Sequence, residues 1–216
     1  MRTDVIEAIK NEKIIVIVRG VDKEKLVPLC QAMYAGGIRL LEITYDASGK
    51  VSDEETASNI RTLSELFGDK MYIGAGTVLK EKQVILTKEA GGSFIISPDT
   101  NEAVIKKTVE LDMVSMPGGL TPTECKLAHS FGADFVKLFP VDTFGPSYVK
   151  AIKAPLSHIS FTAVGGINLE NIPSYIAAGV SGFGVGTNIV DRKLVENGKF
   201  DEIIKLAQQY VEVVKG

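Results

Sequence analysis

The chain is poor in the residues from which metal centres and disulfide frameworks are built. Its 216 residues include two cysteines, Cys30 and Cys125, too far apart for a Cys-x-x-Cys pair, and two histidines, His129 and His158, without ligand spacing. Cys125 and His129 stand at i, i+4 of a helical segment, but no third or fourth ligand is near, so no metal is expected. Excess positive charge is also missing. A formal net charge of −3 argues against nucleic acid as a partner, while leaving clustered basic residues free to hold a small anion. No run approaches about 18 apolar residues, so no membrane partner is expected. The opening Met1-Arg2-Thr3-Asp4 begins a charged amphipathic segment rather than a secretion signal. Low-complexity tracts and composition shifts are absent as well. The expectation is a soluble, cytoplasmic protein with one domain over residues 1–216.

Hydrophobic residues at 45% are enough for a sizeable core, and they are distributed in a pattern. Eight short apolar runs occur at Ile14–Val18, Ile38–Ile43, Met71–Ala75, Ser93–Ile96, Met113–Ser115, Asp134–Leu138, Ser160–Val164 and Gly182–Val185. Each precedes a segment with helical spacing. Ser52 with Glu55, and Thr121-Pro122-Thr123-Glu124, read as capping boxes, and Asn168 is placed to cap the helix after the seventh strand. Gly36-Gly37, Gly91-Gly92, Gly132 and Gly179 fall where helices should end. Strict alternation of strand and helix implies a parallel sheet with right-handed crossovers. Eight units in one core predict an α/β fold, a (β/α)8 TIM barrel, with Asp4–Asn11 as an extra N-terminal helix over its bottom. Ile73-Gly74-Ala75-Gly76-Thr77 superficially resembles a dinucleotide fingerprint. However, Leu79 replaces the third glycine and the strand is third rather than first, so an open doubly wound sheet is rejected.

In such a barrel chemistry sits at the carboxyl ends of the strands. Within Ala133-Asp134-Phe135-Val136-Lys137-Leu138-Phe139-Pro140 a lysine interrupts a buried-looking strand. A buried ammonium is disfavoured unless it is paired or deprotonated, and the deprotonated amine is the nucleophile of Schiff-base chemistry. Alternation puts Phe135, Lys137 and Phe139 on the interior face, with Ile15, Ile17 and Arg19 on strand one, Glu42 and Thr44 on strand two, Ile73, Ala75 and Thr77 on strand three, and Phe94, Ile96 and Pro98 on strand four. Glu42 and Lys137 thus face one interior with opposite charge. A purely structural ion pair there stabilises poorly, because desolvation offsets the attraction. Val164-Gly165-Gly166-Ile167 and Gly184-Val185-Gly186-Thr187-Asn188 follow strands seven and eight, where barrels often bind phosphate on exposed backbone N–H groups.

These residues resemble the class I pyruvate aldolases that cleave 2-keto-3-deoxy-6-phosphogluconate, a family grouped with 4-hydroxy-2-oxoglutarate aldolase. The landmarks run through nearly the whole chain: Ile15–Arg19, Gly37–Thr44, Ile73–Val78, Phe94–Pro98, Met116-Pro117-Gly118 with Thr121–Glu124, and Val136–Pro140. The resemblance implies that Lys137 is the Schiff-base lysine and Glu42 the general acid/base. It implies that Arg19 and Thr77 hold the pyruvyl carboxylate, that Pro98 and Phe139 line the pocket, and that Gly165, Gly166, Gly186 and Thr187 meet the phosphate. It further implies a lyase that forms a homotrimer, acts on a small-molecule keto acid and needs no cofactor. Two positions depart from the common family pattern. Asp46 stands where many members carry arginine, and Val164 where many carry threonine. Lys50 compensates for Asp46 only if its loop folds inward. The rival readings are an aldolase for 4-hydroxy-2-oxoglutarate, a sugar-phosphate isomerase or epimerase with Glu42 as base, and a non-catalytic sugar-acid binding protein with Lys137 as a charged clamp.

Overall fold

A computed structural model describes residues 2–216. The first helix, α1 (Arg2–Glu12), precedes β1 (Ile14–Val18), α2 (Lys23–Ala35), β2 (Leu40–Thr44), α3 (Asp53–Phe67) and β3 (Tyr72–Gly76). Then come α4 (Glu81–Glu89), β4 (Phe94–Ile96), α5 (Glu102–Glu110), β5 (Val114–Met116), β6 (Gly118–Gly119), α6 (Pro122–Ser130) and β7 (Val136–Leu138). The remainder is α7 (Gly145–Lys153), β8 (Phe161–Val164), α8 (Ile172–Ala177), β9 (Gly182–Val185), α9 (Arg192–Glu196) and α10 (Phe200–Lys215). All strand pairings are parallel, in the order β5-β4-β3-β2-β1-β9-β8-β7-β6.

Nine strands occupy eight barrel positions because the fifth is split. Pro117 has no N–H to give to a ladder. Below it β5 pairs with β4, and above it β6 pairs with β7. The seam is bridged by the N–H groups of Phe135 and Lys137, which donate to Ser115 O at 3.3 Å and Pro117 O at 2.9 Å. The barrel therefore closes across the break.

Two apolar layers result. Between strands and helices lies the larger, including Val16, Leu41, Ile73, Ala75 and Phe183. The smaller fills the barrel floor: Ile15, Leu40, Phe94, Ile96, Val114, Met116 and Phe135, closed by Val5 and Ile9 of α1. Thus α1 is the expected plug. Its Arg2 pairs with Asp134 at 2.9 Å, and Asp134 also accepts the Ser115 N–H, also at 2.9 Å, tying the plug to the fifth and sixth barrel strands.

Three local expectations need correction. On β3 the interior face belongs to Gly74 and Gly76, not to Ile73 and Ala75. A Cβ on Gly74 would enter the ring of Phe94 on the barrel floor, whereas Ile73 and Ala75 pack against helices. When a strand is buried on both faces, apolar residues mark neither side, and the glycines facing inward carry no hydrophobic signal. Thr121 and Glu124 form a complete capping box, but at α3 only half exists: Ser52 Oγ accepts from Glu55 N, without the reciprocal bond. Asn168 does not cap α8. Its Oδ1 accepts from the N–H groups of Glu170 and Asn171 in a turn ahead of the helix, and Asn171 occupies the N-cap position. The glycine stops stand as expected: Gly37, Gly91, Gly132 and Gly179 have φ of 92°, 84°, 106° and 91°, a region costly for residues with a Cβ.

Among the described residues no helix is long and apolar enough to cross a membrane, and no group of three or more His, Cys, Asp or Glu could hold a metal ion.

Candidate active site

At the carboxyl ends of the strands lies a cavity of about 370 Å³. It brings together all ten residues singled out in the sequence: Lys137 and Glu42 in its wall, Arg19, Thr77, Pro98 and Phe139 around them, and Gly165, Gly166, Gly186 and Thr187 on one side. A larger hollow of about 500 Å³ lies beside it and shares Arg19, but neither Lys137 nor Glu42 reaches it.

Lys137 sits on β7 between Gly118 and Thr162 of the neighbouring strands, and is 7% exposed. Its Nζ lies 4.9 Å from the centroid of the Phe139 ring and forms no salt bridge among the described residues. Burial lowers its pKa from the ordinary lysine value. The Arg19 cation adds to that, and the Glu42 carboxylate opposes it. Glu42 sits on β2 between Ile17 and Gly74 and is 1% exposed. Burial raises its pKa, against the pull of Lys137 and Arg19. Both groups are pushed toward their neutral forms, which suits one as an amine nucleophile and the other as a proton carrier near neutral pH. Glu42 Oε2 is buried without a hydrogen-bond partner, and so is Thr162 Oγ1 beside Lys137. Thr162 has no counterpart in the sequence reading, since a threonine in a strand is ordinary.

Thr77 reaches the cavity by an unexpected route. It follows the inward-facing Gly76, so simple alternation would turn it outward. Its φ of 55° reverses the chain locally, and its Oγ1 accepts from Arg19 Nη2 at 2.8 Å. A left-handed threonine is uncommon and costs local strain, which here fixes a hydroxyl beside a guanidinium.

The glycine side is equally specific. Gly165 and Gly166 have φ of 101° and 66°, and at both positions a Cβ would press on the Pro140–Asp142 segment. In the following loop, Gly186 O accepts from the N–H groups of Ile189 and Val190, closing a turn. The N–H groups of Gly166, Thr187 and Asn188 find no protein acceptor among the described residues. Asn188 Nδ2 donates to Ile167 O at 2.7 Å and Asn171 Nδ2 to Gly166 O at 2.8 Å, bracing the two loops. The sequence reading missed both asparagines as braces. Asn188 belongs to the glycine-rich segment after the last strand, and Asn171 carried no signal.

Asp46 does not face this cavity. Its carboxylate accepts from Ser48 N and Oγ, Lys50 N and Val51 N, and these bonds, led by Ser48, hold its pKa down to about 2. The negative charge is engaged within its own turn. Lys50 does not fold inward to the cavity either, and lines the neighbouring hollow instead. Val164 does line the cavity, as an apolar wall above Thr162.

Comparison with known proteins gives matches over most of the chain. The family model described as "Aldolase: KDPG and KHG aldolase" matches residues 5–206. The 2-dehydro-3-deoxy-6-phosphogalactonate aldolase of Escherichia coli (strain K12) is 36% identical over 177 residues, 82% of this chain and 83% of that protein. The KHG/KDPG aldolase of the same organism is 34% identical over 194 residues, 89% of this chain and 87% of that one. Among solved structures, KDPG aldolase from Legionella pneumophila, with pyruvate captured at low pH as a covalent carbinolamine intermediate, superposes with a TM-score of 0.84. It is 26% identical and covers 94% of this chain and 96% of its own.

Proposed function

The chain belongs to the KDPG and KHG aldolase family, and from that premise we propose that Lys137 and Glu42 cleave a 2-keto-3-deoxy-6-phosphosugar acid, 2-keto-3-deoxy-6-phosphogluconate first among them, into pyruvate and glyceraldehyde 3-phosphate. The single observation that carries the assignment of residues is the buried, unpaired Lys137 amine held opposite Glu42 in one cavity, each pushed toward neutrality. An isomerase would use Glu42 but has no need of a neutral amine, and a charged clamp would not be buried without a bonded partner.

In the proposed sequence, the substrate carboxylate lies against Arg19 and Thr77. The Lys137 lone pair attacks the C2 ketone, whose oxygen takes one proton from the amine nitrogen and a second from protonated Glu42 and departs as water, leaving an iminium and an ionised Glu42. The C3–C4 bond then breaks. Its electron pair moves onto C3 and into the iminium to give an enamine, while Glu42 takes the C4 hydroxyl proton and the aldehyde is released. Glu42 returns that proton to C3, and water hydrolyses the resulting iminium to pyruvate and free Lys137. The free N–H groups of Gly166, Thr187 and Asn188 support binding of the phosphate, since backbone donors in a turn favour an anion. Asp46 does not oppose it, because its charge is absorbed in its own loop.

Borohydride reduction with and without pyruvate, followed by peptide mapping, tests the reading together with a cleavage assay. A pyruvate-dependent adduct on Lys137 is expected, and Lys137→Ala should lose both adduct and cleavage. Turnover near wild type in Lys137→Ala ends the mechanism.

A further inference from the structure

The Glu42 carboxylate occupies space that exists only because β3 offers no side chain there. On the inward face of that strand stand Gly74 and Gly76, and neither has the positive φ that would demand glycine. Their backbone accepts any residue, so glycine serves there for room alone. At Gly74 the room is filled by the ring of Phe94. At Gly76 it is filled by Glu42: a Cβ would clash with Oε1 and Cδ and lie 2.7 Å from Cγ. Three successive atoms of the glutamate therefore rest against the Gly76 backbone. Retreat toward the floor is closed by Phe94, and the ladder neighbour on the other side is Ile17. With Oε1 against this wall, Oε2 is left buried and without a partner, free for a substrate proton.

We propose that Gly76 is the positioning residue for Glu42, holding its carboxylate at the level of Lys137 by presenting bare backbone where any other residue would present a side chain. The inference rests on the reading above that Glu42 carries the proton. Gly76 touches neither substrate nor reacting atoms, and it acts through Glu42 alone. An added methyl must displace the carboxylate by ~1 Å or more, a misplacement that costs on the order of 10²-fold in a proton-transfer step. The main ladder contact at this point survives, because Tyr45 N donates to the Gly76 carbonyl at 2.8 Å and needs no particular side chain.

The test is a cycle of Gly76→Ala, Glu42→Asp and the double variant, read by kcat, KM and borohydride trapping of pyruvate on Lys137. Gly76→Ala should lower kcat by about 10²-fold, leave KM within about threefold and still trap pyruvate. Glu42→Asp withdraws the carboxylate by about one carbon–carbon bond, ~1.5 Å, and clears the position of Oε1, the atom on which the added methyl presses hardest. Adding Gly76→Ala to it should then cost less than about threefold. The proposal is overturned if Gly76→Ala keeps kcat within threefold of wild type, or if the two losses multiply in the double variant. Should Gly76→Ala fail to fold, Glu42→Ala/Gly76→Ala decides the matter. Folding of that pair with pyruvate still trapped supports the clash with Glu42 as the cause, and its failure to fold makes Gly76 a backbone requirement and removes the proposal. A wild-type protein that traps no pyruvate refutes the aldolase assignment of Lys137, an outcome distinct from any of these.

Discussion

Replacing Glu42 and Lys137 together by methionine should make the protein more stable while making it inert. Both side chains are nearly inaccessible, Lys137 lacks a salt bridge among the described residues, and one oxygen of Glu42 has no hydrogen bond. A buried pair satisfied this poorly recovers less from mutual attraction than it loses in desolvation. Apolar replacements of similar volume commonly gain about 1–4 kcal/mol, and methionine adapts to irregular space. In a domain of this length each kcal/mol moves Tm by about 2–4 °C, so a rise on the order of 5–10 °C is expected. Lys137→Met alone behaves differently, because it strands a carboxylate in the wall. Glu42 has a raised pKa, so the native state holds its proton more tightly than the unfolded chain. Stability is then lost as pH climbs from the ordinary carboxylate range through the raised value. Lys137, with its lowered pKa, has the opposite linkage: wild-type stability rises with pH from the lowered value toward the ordinary lysine range. The single variant should therefore match the double one in mild acid and fall below it at neutral and alkaline pH, while the double variant shows neither slope. Thermal unfolding followed by circular dichroism from pH 5 to pH 10, on wild type and both variants, measures this. A double variant less stable than wild type at every pH would refute the idea that the pair is kept for chemistry at the expense of stability.

Two further outcomes are expected. Arg19→Met removes a cation that helps depress the Lys137 pKa, so at saturating pyruvate the pH profile of borohydride trapping should move to higher pH, and an unmoved profile contradicts the electrostatic role. Thr121→Ala removes the hydroxyl that caps α6 and half of its capping box, and should cost about 1 kcal/mol in urea unfolding with kcat unchanged; a loss under ~0.3 kcal/mol would mean that Glu124 and Pro122 suffice.

The alternation of apolar runs with helical segments was enough to read the barrel, and α1 was legible from its amphipathic pattern. What escaped reading were features that leave no hydrophobic trace. Gly74 and Gly76 face inward, but their neighbours Ile73 and Ala75 looked like the interior set because helices bury the other face just as fully. Met113–Ser115 read as one short strand, whereas Pro117 splits a longer one into two pieces that serve different neighbours. At the site, charges within apolar runs exposed Lys137 and Glu42, and glycine clusters exposed the two loops. Thr77 was selected through a phase that does not hold on its strand, and it reaches the cavity through a left-handed turn that no alternation rule anticipates. Thr162, Asn171 and Asn188 had ordinary polar identities in ordinary places, and only their neighbours in space give them meaning.

Strand β9 bears on how the cavity can change over time. Its residues in the inward phase, Gly182, Gly184 and the following Gly186, give that wall no side chains to trim. Substitution can narrow this side but never widen it. At Gly184 even a methyl would meet Val164 at 2.8 Å and Ile17 at 3.2 Å, whereas at Gly186 the nearest atoms stand at 3.7 Å. Gly186 is thus the position at which a lineage, or an engineer, could add bulk to exclude longer substrates without disturbing the barrel. Acceptance of larger ones has to come from walls that carry side chains, such as Val164, Ile17 or Phe139.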